Sequence, residues 1–376
     1  MRVLLVKALS DEHLYSIHAR ELCAALRGMG VDAEILTVSN DREDFLQKIV
    51  HPKCDAVISF SSFMAEALNV DSGSLYDLLG IQFLGWQFDH PIYVYHQLAT
   101  RIELRRSIYP DRNHLRFLDA AGVHGRATVL LPGGVLPATP PKPYRARAIP
   151  IFVAASWTGP PERSWEAMED SPARRLIAGT VERLVHDPEV SVIDAFDQTK
   201  AELGYQGLRP DKDVAALLRM ALTYVRLSDR IDIVAALAAA GLPMTICGPG
   251  WQDYLGNPPH VRFLERVPFD AVAGLYDDAQ IAINLNAGNG GSERAIQAAL
   301  AGSCVVSDFG SALAEEFTDG EQIAMFDRRD PAQVAQLAGD LLESGRGETL
   351  AAAGFARAST SALWSHRCER VLELLA

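Results

Sequence analysis

Six prolines and two glycines fall within residues 131–150, LPGGVLPATPPKPYRARAIP. Proline fixes φ and lacks a backbone donor, so neither a helix interior nor a central strand runs through such a stretch. On each side of it, short apolar runs alternate with amphipathic helical patterns. Before it the runs fall at 2–6, 33–38, 55–60, 81–85 and 127–131; after it, at 151–155, 243–247, 261–264, 281–285 and 304–307. Near-continuous apolar strands separated by helices indicate parallel sheets covered on both faces. The expected fold is α/β: two Rossmann-like domains facing across a cleft, joined by a proline-rich hinge. The expected divisions are 1–145, 146–360, and a C-terminal helix over 361–376 that packs back on the first domain, with Trp364 as its anchor. A length of 376 residues agrees with two cores rather than one.

Residues 160–228 break the rhythm. Too many residues separate the runs at 151 and 243 for one crossover helix, and their pattern is helical at 173–186 and 214–227. They read as a helical insertion in the second domain, with a further helix over 231–240.

The chain has 48 acidic and 35 basic side chains, a net charge of −13. No basic stripe is present, so nucleic acid is not an expected partner. Five cysteines lie far apart and form no C-x-x-C or metal-ligand spacing, which reads as buried thiols in a reducing compartment. The start, MRVLLVKALSDEHLYS, reads as a first strand rather than a signal peptide, and no apolar run is long enough to span a membrane. The cytoplasm is the expected location, with peripheral membrane contact left open. A homodimer is expected on general frequency alone.

Neither G-x-G-x-x-G nor a P-loop follows the first strand, and G-x-S-x-G is absent. Two other glycine loops stand at strand ends. In CGPGW, Gly248, Gly250 and Trp251 follow the 243–247 strand, where glycine lets the backbone approach a ligand; an ordinary strand-ending turn is the plain alternative. In NLNAGNGGSERAIQAALAG, a strand runs into Asn286, Asn289, Gly290, Gly291 and Ser292 and then opens a helix. Exposed amides at a helix start form an anion site. Arg294 in the first turn opposes the helix dipole unless an anion lies nearby; a surface pair with Glu293 or Glu316 is the alternative.

This segment is read with HVRFLERVPFDAVAGLYDDAQIAINLN before it and EEFTDGEQIAMFD after it. So read, it resembles the donor-binding domain of nucleotide-sugar glycosyltransferases of the two-Rossmann-domain (GT-B) type, the group 1 glycosyl transferases. Within them it is most similar to the spore-protein glycosyltransferase-like group. The matching stretches are FVAAS at 152–156, GPGW at 248–251, the helix at 294–302, and FLGWQFDHP at 83–91. The likeness is clear over 230–330 and general over the first 145 residues. It implies transfer of a sugar from a UDP- or GDP-sugar to an acceptor hydroxyl on a saccharide, glycan, natural product or protein, with no metal and no further cofactor. Two glutamates that retaining members often carry fall here on Asn289 and Gln297. Gln297 can still hydrogen-bond a ribose hydroxyl. Their replacement leaves two other readings: a non-catalytic sugar-nucleotide-binding or scaffolding protein, and a nucleotide-sugar epimerase.

Glycosyl transfer needs cations for the departing diphosphate and, if inverting, a base. Arg294, Arg266 after the 261–264 strand, and Arg230 at the start of the 231–240 helix are the expected cations. The base is expected from the first domain at a strand's carboxyl end. Asp89 and His90 of the WQFDHP loop fit, as does His13 after the first strand.

Overall fold

The computed structural model describes residues 1–7, 13–38, 42–67, 69–70, 73–123, 125–187, 189–286 and 292–376. The first six parallel strands are β1 (Arg2–Lys7), β2 (Asp32–Thr37), β3 (Ala56–Phe60), β4 (Gln82–Trp86), β5 (Arg105–Tyr109) and β6 (Arg126–Val129). They form one sheet in the order β2-β1-β3-β4-β5-β6. β1 lies between β2 and β3, with Val3 opposite Ala33 and Ala56. Val3, Leu4, Leu5 and Val6 are all buried, as a strand covered on both faces requires.

The second sheet is also parallel. It holds β7 (Ile149–Ala154), β8 (Met244–Cys247), β9 (Val261–Leu264), β10 (Ala279–Asn284), β11 (Cys304–Asp308) and β12 (Ala324–Phe326). Its order is β9-β8-β7-β10-β11-β12, so the direction of winding reverses between β7 and β10. Ligands of open α/β sheets sit outside the strand carboxyl ends at such a reversal.

β5 and β12 were not anticipated by the apolar pattern. β5 opens on two arginines. Arg105 is buried there because its guanidinium donates to the carbonyls of Gln97, Leu98 and Thr100. Arg106 reaches the Leu374 carbonyl. β12 has only three residues.

The proline-rich segment is stapled down rather than loose. Buried Arg147 donates to the carbonyls of Lys142, Tyr276, Ala279 and Ala301. Near its start the segment meets the returning chain main chain to main chain: Gly134 N–H donates to Ala362 and Trp364 N–H donates to Gly134. Beyond that crossing the helix Trp364–Leu375 lies on the helix Leu14–Gly28. Trp364 Nε1 donates to Glu21 at 2.8 Å, and Cys368, Val371 and Leu374 join the first-domain core.

The insertion differs from its expected outline. Helices Pro172–His186 and Val192–Glu202 are followed by one unbroken helix, Lys212–Ala239, of 28 residues. At 1.5 Å per residue it is about 42 Å long. The expected break near 228–230 is instead a polar stretch where this helix crosses the cleft. Its first half (Val214, Leu218, Leu222, Val225) packs with Ile92, Leu98, Tyr109 and Phe117 of the first domain. Its second half (Ile231, Val234, Leu237) belongs to the second-domain core.

Candidate active site

At the reversal between β7 and β10, three arginines converge. The helix Glu293–Leu300 starts there, capped by buried Ser292, whose hydroxyl accepts from Arg294 N–H at 3.2 Å. Arg294 Nη1 donates to the Ala154 carbonyl at 2.9 Å, at the end of β7. Arg230 Nη1 reaches the Ser156 carbonyl at 3.3 Å. Arg230 Nε and Arg294 Nε are both buried without a hydrogen-bond acceptor, though Arg294 Nε lies 3.9 Å from the Glu293 carboxylate, the pair offered above as the alternative. Burial, with Arg294 and Arg226 close by, pulls the Arg230 guanidinium down to about 10. Like charges held together, with donor nitrogens left over, are the arrangement an anion site needs.

Arg226, one helical turn before Arg230, was missed in the sequence because the helix was read as broken between them. Helical spacing of four would have found it. Asn286 at the end of β10 donates its N–H to both oxygens of buried Asp308, each at 3.1 Å. Burial lifts the Asp308 carboxyl to about 6, with the Asn286 N–H, Arg328 and Arg294 pulling the other way. Gln297, on the helix that Ser292 caps, leaves its buried side-chain oxygen without a partner. Asn289, Gly290 and Gly291 lie outside the described residues.

Other expected donor contacts are placed differently. A Cβ on Gly248 would stand 2.2 Å from the Ala155 oxygen, and one on Gly250 would stand 2.3 Å from the Trp157 oxygen. Both have positive φ. These glycines therefore serve the close approach of two loops to each other. Trp251 is fully buried, its Nε1 donating to the Ala155 carbonyl at 2.8 Å. Arg266 is exposed beyond β9, the outermost strand, away from the reversal.

On the first-domain side, Asp89 follows β4 and keeps 46 % of its side-chain surface open. Its carboxylate lies 3.9 Å from Arg226. Burial raises its pKa; Arg226 lowers it, Glu293 raises it and Arg294 lowers it. Those last two groups belong to the second domain, so Asp89 faces the arginine cluster across the cleft.

His90 is poorly suited to be the base. It is buried, and Nδ1 accepts from Ile92 N–H at 3.3 Å, so the neutral ring carries its proton on Nε2. Burial, then His114 and Arg226, hold its pKa well below the ordinary value. Nε2 has no protein partner. The residue lines a cavity of about 190 Å³ between the domains with Asp111, Asn286, Ser311 and Arg328. Ser311 Oγ donates to Asp111 across that boundary at 2.7 Å. His90 is thus a hydrogen-bond donor. His13 is exposed and its Nδ1 is taken by Tyr15 N–H, the cap of the first helix.

Among the described residues no His, Cys, Asp or Glu side chains cluster as metal ligands, and no helix is long and apolar enough to cross a membrane. The cysteines are all buried and unpaired.

Two Rossmann-like sheets facing across a cleft define the GT-B architecture of glycosyltransferases. Residues 230–373 match the family described as glycosyl transferase-like. Solved structures share the fold over the whole chain. Sucrose-phosphate synthase from Thermosynechococcus elongatus aligns at TM-score 0.61 and 13 % identity, covering 100 % of this chain and 98 % of its own. A glycosyltransferase from Rickettsia africae gives 0.56 and 10 %, covering 100 % and 97 %. HepE of Anabaena in complex with UDP gives 0.55 and 11 %, covering 100 % and 99 %. Identities this low establish the fold alone. No curated protein matches the sequence.

Proposed function

We propose that this protein is a glycosyltransferase that moves a sugar from a UDP-sugar to an acceptor hydroxyl, without a metal. The observation that carries the reading is the approach of Arg230 and Arg294 to the carboxyl end of β7, with Arg226 close behind. Three guanidinium groups supply the positive charge that a departing diphosphate needs. Uridine is preferred over guanosine because HepE, of the same fold, binds UDP and UDP-glucose. The buried, unpartnered side-chain oxygen of Gln297 is the group proposed for a ribose hydroxyl. The finer likeness to the spore-protein group rests on the short sequence matches given above, and the cytoplasm is the proposed location.

Chemically, the acceptor oxygen attacks the anomeric carbon. The bond from that carbon to the diphosphate oxygen breaks, and its electron pair leaves with the diphosphate toward Arg230 and Arg294. The acceptor proton passes to the Asp89 carboxylate, whose raised pKa suits a base. Asp89 rather than His90 or His13 takes that role, for the reasons of tautomer and capping already given.

Calorimetry with UDP and GDP, each with and without chelator, tests the donor. UDP is expected to bind equally well in both conditions. Arg294→Ala is expected to weaken UDP about tenfold or more and uridine little, since charge-assisted contacts to phosphate are the strong ones. Absence of binding by either nucleotide to the folded protein overturns the reading. Binding with no turnover of UDP-glucose or other donors identifies the non-catalytic alternative, and acceptor-independent isomerisation of the sugar identifies the epimerase.

A further inference from the structure

The helix Lys212–Ala239 carries groups for both sides of the reaction. Arg226 and Arg230 are four residues apart and so share one face. The loop after β4 is fastened to this helix. Tyr93 lies under two of its arginines, with the guanidinium carbons of Arg219 and Arg226 at 5.6 and 5.5 Å from the ring centre. The Tyr93 hydroxyl is 3.3 Å from Thr223 Oγ1. Ile92 lies in the same apolar cluster as Leu222 and Val225. Tyr95 donates to the Pro210 carbonyl just before the helix. The loop holding Asp89 is therefore built onto the insertion, with Arg226 beside the carboxylate.

We propose that Arg226 is a positioning residue: it holds Asp89 as a carboxylate in the empty enzyme and yields part of that hold when a diphosphate binds at Arg230 and Arg294. The proposal rests on the glycosyl-transfer reading. Among the described residues, the charged and titratable groups around Asp89 are Arg226 from the long helix, Glu293 and Arg294 from the second domain, and Tyr15 from the first helix. Of these, two are cations and one is a further carboxylate. A bound diphosphate engages the cations and adds negative charge of its own, so Asp89 binds a proton more readily once the donor is in place. The base strengthens when it is needed. After transfer the proton is shed to water as UDP leaves and Arg226 recovers its full effect.

The test is the titration midpoint of Asp89 in the intact protein, read from ¹³C-carboxyl NMR and assigned by difference against Asp89→Asn. It is measured with and without saturating UDP in wild type, Arg226→Gln and Arg226→Lys, all first checked for the wild-type melting transition. Loss of the cation disfavours the charged form, so Arg226→Gln is expected to raise the midpoint by about one pH unit; Arg226→Lys should recover most of that shift. UDP should raise the wild-type midpoint, and the Arg226→Gln midpoint less than half as much. Equal midpoints in unliganded wild type and Arg226→Gln overturn the proposal even if UDP binds. So does a wild-type midpoint that UDP leaves unmoved while calorimetry registers binding. If wild type binds no UDP, the donor reading fails, and the unliganded comparison still decides whether Arg226 holds Asp89.

Discussion

Replacing Asp89 by Asn keeps the size of the side chain and removes the proton acceptor. Acceptor-stimulated transfer is expected to fall about 10²-fold or more, the usual weight of a positioned base. UDP affinity should stay within about threefold, because Asp89 lies across the cleft from the diphosphate arginines and its pair with Arg226 is loose, at 3.9 Å. The neighbouring substitution His90→Ala should behave differently. It removes a buried donor and the cap on Ile92, so it lowers the rate without moving the acid limb of the pH–rate profile. Pre-steady-state rates across pH separate the two. A His90→Ala profile that loses its acid limb would return the base to His90. At this scale the sequence was readable as far as placement goes: Asp89 follows a strand, and Ser292 caps the helix on which Arg294 stands, as expected. At Gly248, Gly250 and Trp251 the structure shows a packing role that the sequence offered only as the plain alternative, a strand-ending turn. The open Cβ direction of a glycine faces backbone as readily as it faces ligand, and only coordinates tell which.

The crossing of the two interdomain segments depends on a missing side chain. A Cβ on Gly133 would stand 2.7 Å from both the Cα and the N of Trp364. Main-chain atoms cannot swing aside as a side-chain tip can, so Gly133→Ala must part the two segments. A loss of about 1–3 kcal/mol is expected, in the range for overpacked sites. Gly207→Ala is the control, since nothing lies within 4 Å of its Cβ position. Urea unfolding of the two variants reads the difference, and equal midpoints would remove the crossing as a structural constraint. Most strands were legible because parallel sheets demand continuous apolar runs. β5 was not, since its arginines hide their charge in carbonyls the linear sequence does not reveal. The long helix was divided for a related reason: Arg226, Asp229 and Arg230 interrupt its apolar stripe where it leaves one core and enters the next. Asp229 is itself tied to Arg328, whose other branch donates to the Leu184 carbonyl of the insertion.

Taken whole, the molecule has its domain boundary at the proline-rich segment in sequence but not in packing. Ile92, Leu98, Tyr109, Phe117 and Leu118 find their apolar partners in Trp165, Leu176, Phe196, Leu218 and Leu222. Residues 1–145 expressed alone are therefore expected to form the β1–β4 part of the sheet and leave the far side open. They should bind a hydrophobic dye and show no sharp melting transition, whereas residues 1–376 melt cooperatively; a sharply melting, dye-silent fragment would contradict this. The two-sheet architecture was legible because its signal repeats strand after strand. The sharing of one core between a domain and another domain's insertion was not, because contacts between residues 92–118 and 165–222 are too far apart in sequence to leave a local pattern. The same sharing fixes an order of events during synthesis. The apolar face on 92–118 leaves the ribosome before its covering helices are translated. At the usual elongation rate the roughly one hundred residues from Leu118 to Val225, the last of the covering cluster, take about five to twenty seconds. Throughout that interval the half-made chain displays an uncovered hydrophobic surface to the chaperones waiting at the exit tunnel.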